Sequence, residues 1–156
     1  MRLPAFIRRR LERGLTVIEL MIVLILVAVL AAIALPSYGK YRDRIRSAQA
    51  TTDIGTMSTL IELYARDNRE LPETLEQVGL ASKLDPWGRA YRYYKIAGNP
   101  PGPARKDRRL SPINSDFDLY SVGPDGVTHK QVSNRDSADD IIRGSNGKFV
   151  GRGADF

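Results

Sequence analysis

Gly14-Leu15-Thr16-Val17-Ile18-Glu19-Leu20 is the stretch whose reading decides this chain. It opens an apolar run from Leu15 to Leu35, 21 residues broken only by Thr16 and Glu19. At 1.5 Å per residue a helix of that length spans about 31 Å, close to the roughly 30 Å of bilayer hydrocarbon. A secretory signal has a shorter apolar core. Glu19 is therefore a carboxylate just inside a membrane segment. Such a charge costs roughly 2.5 to 3.5 kcal/mol at a helix centre on insertion scales and marks a functional site by default. The plain alternative is an anchor with a tolerated, snorkelling Glu near its end.

Upstream, residues 1–14 carry five Arg and one Glu, a charge of +4 out of the total +6. Arg-rich flanks stay cytoplasmic, so residues 36–156 are expected across the membrane. Because the basic excess sits in this leader, a nucleic-acid interface on the folded part is not expected. The chain has no cysteine and a single histidine, His129. Disulfides, thiolate metal sites and Cys or His-assisted nucleophilic catalysis lose their usual parts.

Downstream, Pro36 predicts a kink. Helical spacing then resumes with Tyr38, Tyr41, Ile45 and Ala48, and again with Ile54, Met57, Ile61 and Tyr64. That 3–4 spacing predicts a core-facing stripe on one helix from about Leu15 to about Arg66, far beyond the usual length of about 11 to 12 residues. A short second helix is expected over Glu73–Ala81. Asp85-Pro86-Trp87-Gly88 reads as a turn. Two strands are expected, Ala90–Ile96 and Phe117–Val122, with the Pro- and Arg-rich segment 97–115 as a mobile, solvated loop between them. Trp87, Tyr91, Tyr93 and Tyr94 are expected to pack in the core rather than form a stacking platform. The tail from Val127 reads as polar, with one short apolar pair at Phe149-Val150.

These residues resemble a known family. Gly14, Leu15-Thr16-x-x-Glu19, the apolar run to Pro36 and the basic leader resemble the prepilin processing motif of type IV pilin-like proteins. Asp85-Pro86-Trp87-Gly88-Arg89-Ala90-Tyr91-Arg92-Tyr93 and Asp118-Leu119-Tyr120-Ser121-Val122-Gly123-Pro124-Asp125-Gly126 are similar to the major pseudopilin, the G subunit, of type II secretion systems. Leu15, where Phe is usual, the long basic loop 97–115 and the tail beyond Asp140 depart from that pattern.

The resemblance implies an α+β fold of the type IV pilin kind, with a long kinked helix packed on a small antiparallel sheet. It divides the chain into a leader (1–14), a transmembrane and filament-core helix (15–35), the exit half of that helix (36–66) and a globular domain (67–156). It implies a non-enzymatic filament subunit, cleaved between Gly14 and Leu15, N-methylated on Leu15, and aligned with its neighbours through Glu19. The implied partners are further copies of the chain, the prepilin peptidase and methyltransferase, an inner-membrane assembly platform and minor pseudopilins. An adhesion, motility or DNA-uptake pilin is the alternative within the class; a membrane-anchored periplasmic enzyme is the rival outside it.

A cofactor is also in question. Asp118 and Asp125 are seven apart, flanking a strand-to-turn segment. With carbonyls near Ser115 and Val127 they offer hard oxygen ligands for calcium, which takes six to eight. Asp116, Asp139 and Asp140 are further carboxylates nearby. Ordinary turn chemistry is the alternative; the resemblance favours calcium.

Overall fold

The computed structural model describes residues 14–156. The leader expected over 1–14 lies outside those residues except for Gly14. The chain divides into two units, Met1–Lys40 and Tyr41–Phe156.

A single helix, α1, runs from Val17 to Asn68 and belongs to both. Pro36 falls inside it, but the side chains of residues 34–37 lie outside the described ones, and with them the expected kink. From Leu20 to Ile33 α1 is apolar on every side: Leu20, Val23, Leu26 and Leu30 are all at least half exposed. Successive residues of a helix point about 100° apart, so a run with no polar face presents no stripe to a single core. Among the described residues this is the one helix long and apolar enough to cross a membrane.

The second unit is built on the C-terminal part of α1 and a four-stranded antiparallel sheet in the order β1 (Arg92–Lys95), β2 (Phe117–Ser121), β3 (Ile141–Gly144) and β4 (Phe149–Arg152). Each strand pairs with the next in sequence, with Tyr94 opposite Asp118, Tyr120 opposite Ile142, and Arg143 opposite Val150. Because strand residues alternate faces, β2 splits its side chains. Phe117 and Leu119 join Ile54, Met57 and Ile61 of α1, Tyr91 and Ile141 in the main core. Asp118 and Tyr120 point the other way, where Ile113, Val132 and Ile142 form a smaller cluster. Burying each large aliphatic of the main core contributes about 1.5 to 3 kcal/mol.

Several expectations need correction. The stripe on α1 is core-facing only from Ala50 onward: Ile54, Met57 and Ile61 are buried, whereas Tyr38, Tyr41 and Ile45 are exposed. The short second helix shrinks to a 3-10 turn, Leu75–Val78, ended by Gly79 in the left-handed region (φ 70°) and started by Thr74 without a side-chain cap. The tail holds two strands that its polar composition concealed. Their connection passes through Ser145, Asn146 and Gly147, all at positive φ. The segment 97–115 is not a solvated loop throughout. Lys106 bridges both Pro112 and Gln131, and Ala104, Arg105, Ile113 and Asn114 are buried. Trp87 and Tyr93 do pack against the main core, as expected. Tyr91 donates its hydroxyl to Asp53 Oδ2 at 3.0 Å, and Tyr93 donates to the Pro72 carbonyl at 2.7 Å.

The sheet is closed onto α1 by a buried guanidinium. Arg143 grips Asp116 in two parallel bonds of 2.8 and 2.7 Å, donates to the Phe117 carbonyl at 3.1 Å and lies 3.9 Å over the Phe117 ring. Its reach to Glu62 of α1 is longer, 3.4 Å. Paired guanidinium–carboxylate geometry of this kind is the strong form of the contact.

The boundary at Ala50 is testable with the chain's single tryptophan, Trp87, as reporter. In detergent, Ile54→Ala should lower the unfolding free energy of the second unit by about 2 to 5 kcal/mol, the range for emptying a core aliphatic site. Ile45→Ala should stay within about 0.5 kcal/mol. Equal losses would place Ile45 in the core after all.

Candidate functional site

Two regions hold the residues singled out by the sequence. The first is the start of α1. Thr16 is its cap: the Glu19 backbone N–H donates to Thr16 Oγ1 at 3.3 Å, and Thr16 donates both its backbone N–H and its hydroxyl to Glu19 Oε2 at 2.9 Å. This is the reciprocal capping box, which satisfies donors that the first turn of a helix leaves open. Its signal in the sequence is Thr16-x-x-Glu19. All of these groups are exposed. Glu19 thus has local partners that hold its place, and its carboxylate is exposed. Leu15 is 77 % exposed, and a Cβ added at Gly14 would meet no atom within 4 Å. Gly14 and Leu15 are exposed just before the helix.

The second region is the end of the sheet around Asp118. The structure puts Asp118 in β2, buried, with both oxygens taken by N–H donors. Oδ2 accepts the Arg105 backbone N–H at 2.6 Å, and Oδ1 accepts the Asn114 amide at 2.9 Å. Asp125 is exposed and closes its own turn by accepting the Val127 N–H at 2.8 Å. Ser115 is occupied with Asn146, donating its N–H to Oδ1 at 2.8 Å and accepting from Nδ2 at 2.9 Å. Val127 is exposed beyond the turn.

The residue at the centre is one that composition hid. Arg105 is 3 % exposed, with its guanidinium 4.3 Å above the Tyr120 ring. It donates to Thr128 Oγ1 and to Asp140 Oδ2, each at 2.7 Å, while Thr128 donates to the same Asp140 oxygen at 2.6 Å. A second arginine, Arg89, crosses the neighbouring turn and donates to the carbonyls of Gly123 at 2.6 Å and Pro124 at 3.3 Å. A Cβ at Gly126 would come within 2.7 Å of its guanidinium. Burial pushes the Asp118 and Asp140 carboxyls above the usual carboxylate range, and the nearby Arg105 charge opposes that rise in both.

The expected calcium ligands do not fit this arrangement. Calcium needs six to eight oxygens converging at 2.3 to 2.6 Å. Here Asp118 faces donors, Asp125 serves its turn, and the Gly123 and Pro124 carbonyls face a guanidinium. One buried carboxylate oxygen, Asp140 Oδ1, has no hydrogen-bond partner. Among the described residues no three acidic or histidine side chains converge to hold a metal ion. His129 takes no part in such a set; its Nδ1 accepts the Gln131 N–H at 3.3 Å.

Comparison with known proteins agrees with the first region. The prokaryotic N-terminal methylation motif matches residues 9–35. A type II secretion system core protein G from Pseudomonas aeruginosa is 29 % identical over 140 residues, covering 76 % of this chain and 88 % of the relative. The protein of the same name from Escherichia coli is 31 % identical over 123 residues, covering 74 % and 83 %. A type IV major fimbrial protein from Dichelobacter nodosus is 40 % identical, but over 65 residues and 42 % of each chain. No solved structure matches the chain. The likeness to the fimbrial protein covers 42 % of the chain, whereas the likeness to core protein G covers about three quarters of it: the chain belongs to the type II secretion system core protein G family.

Proposed function

We propose that this chain is the repeating structural subunit of a secretion pseudopilus. It is made as a precursor, held in the inner membrane by residues 15–35 with the Arg-rich leader in the cytoplasm. A peptidase then removes residues 1–14, Leu15 is N-methylated, and the subunit is drawn into a helical filament by an assembly platform. Growth of the filament, capped by minor pseudopilins, drives proteins outward. The observation that carries this reading is the coverage of about three quarters of the chain by core protein G relatives, with the methylation motif at its start.

The exposed apolar half of α1 supports it physically. A surface with no polar side is stable in lipid, or bundled with identical helices, but not in water. The chain is then the substrate of a maturation enzyme rather than an enzyme itself. Cleavage supplies a new amine at Leu15, one helical turn from Glu19. A carboxylate in a water-poor setting needs a cation. The amine of an adjacent, axially offset copy answers that need and fixes the step between subunits.

Maturation can be read by mass. The protein extracted from membranes should lack residues 1–14. Gly14→Ala should be processed nearly normally, and Gly14→Leu should keep the leader. Since a Cβ at position 14 meets no atom of the described residues within 4 Å, retention would report the fit of an external peptidase. A wild-type protein that still carries residues 1–14 would sink the reading.

Assembly can be read by filament yield. Glu19→Gln keeps the capping acceptor and removes the charge. It should insert, be cleaved, and leave the melting of the second unit unchanged. A charge-assisted contact is worth about 1.5 to 3 kcal/mol, so its loss should weaken each subunit contact by roughly ten- to hundredfold. Wild-type filament yield from Glu19→Gln would make the charge a bystander.

A further inference from the structure

The region around Asp118 needs a cation, and the chain provides one. Asp118 and Asp140 are both fully buried carboxylates, on segments 22 residues apart that the sheet brings to one end. Buried carboxylates are held by a paired charge or strong donors. Arg105 serves both: its backbone N–H takes Asp118 and its guanidinium takes Asp140 and Thr128. Tyr120, on the same face of β2 as Asp118, supports the flat guanidinium from below. One residue therefore ties together the loop 97–115, strand β2, the segment after the Asp125 turn and the start of β3. Arg89 does the same for the carbonyls of the turn at Gly123 and Pro124. These joins are what a calcium ion on oxygen ligands would otherwise make.

We propose that Arg105 is the resident cation of this loop cluster, assisted by Arg89, and that the globular unit is ordered without calcium. The two cannot share the place. A divalent ion set among these donors would face the guanidinium at short range in a low-dielectric interior, where like charges repel strongly. It would also have to displace the N–H groups from Asp118. The proposal is independent of the filament reading, because it concerns only how residues 97–140 are held.

The test uses the full chain in detergent, with melting followed by Trp87 fluorescence, in chelator and in millimolar calcium. Wild type should melt at the same temperature in both, and equilibrium dialysis should show no stoichiometric calcium. A calcium-dependent rise in wild type overturns the proposal. Arg105→Met keeps the apolar stem over Tyr120 but leaves Asp140 without its partner, so it should melt well below wild type. Arg105→Met combined with Asp140→Asn should recover most of that loss. An Arg105→Met protein as stable as wild type, or a double variant no better than the single one, overturns the proposal. If Arg105→Met does not fold, Arg105→Lys decides: keeping the charge, it should fold with an intermediate melting temperature, and failure to fold overturns the role of the cation.

Discussion

The constraint on which this molecule depends is that one helix must satisfy two solvents. From Val17 to Ile33 every large side chain of α1 except Glu19 is apolar, and all are exposed. From Ala50 to Ile61 only one side is buried, and polar residues such as Thr52, Thr56 and Thr59 lie on the other. The first pattern has a place only in hydrocarbon or among other apolar helices. The second is that of a helix lying on a sheet in water. Between them Tyr41 and Ile45 are exposed. A subunit that bundles its helices would bury them, so the apparent error in the predicted core stripe is consistent with a filament-forming chain.

How much of this was legible follows from how local each signal is. The apolar run and the 3–4 spacing of Ile54, Met57 and Ile61 act within one helix, and both were readable. Strands β1 and β2 alternate along their length and were readable too. Strands β3 and β4 were not. Ile141-Ile142-Arg143-Gly144 is buried on both faces, so it lacks the alternation that marks a half-exposed strand. Asn146-Gly147 between them is a strong hairpin dipeptide, but it counts only between recognisable strands. The capping box at Thr16 is local as well, a Thr16-x-x-Glu19 pattern whose carboxylate also reads as a charge in an apolar run.

Arginine explains the rest. Composition treats Arg105 and Arg143 as surface charge, since such residues are almost never fully buried unless paired. The pairing is with Asp140 and Asp116, 35 and 27 positions away. No window of sequence contains both members. The same blindness affected the acidic residues: Asp118 and Asp125 are evenly placed for a shared ion along the chain, yet the fold sends one inward to meet Arg105 and leaves the other on its turn. Removing one member of a buried pair costs about 3 to 5 kcal/mol, because the survivor is stranded. Such pairs are therefore decisive for the fold while leaving almost no local trace.

Glu19 shows the opposite case. Its partners are local and exposed, so its contribution to the fold is a helix cap, typically worth about 1 kcal/mol. Serine, asparagine or a neutral Gln could serve that end of a helix without the insertion cost of a charge. A carboxylate four residues into an apolar run is thus not accounted for by anything within one subunit. What it adds over those neutral groups is attraction to a cation, and no lysine or arginine lies between Leu15 and Ser37. The nearest cation that maturation creates is the amine at Leu15. In a monomer that amine competes with Thr16 for the carboxylate; in an array of offset helices each carboxylate can meet the amine of the next. On the proposed filament reading, the charge is paired completely only when subunits are in register, and a residue of little use to the fold would set the order of assembly.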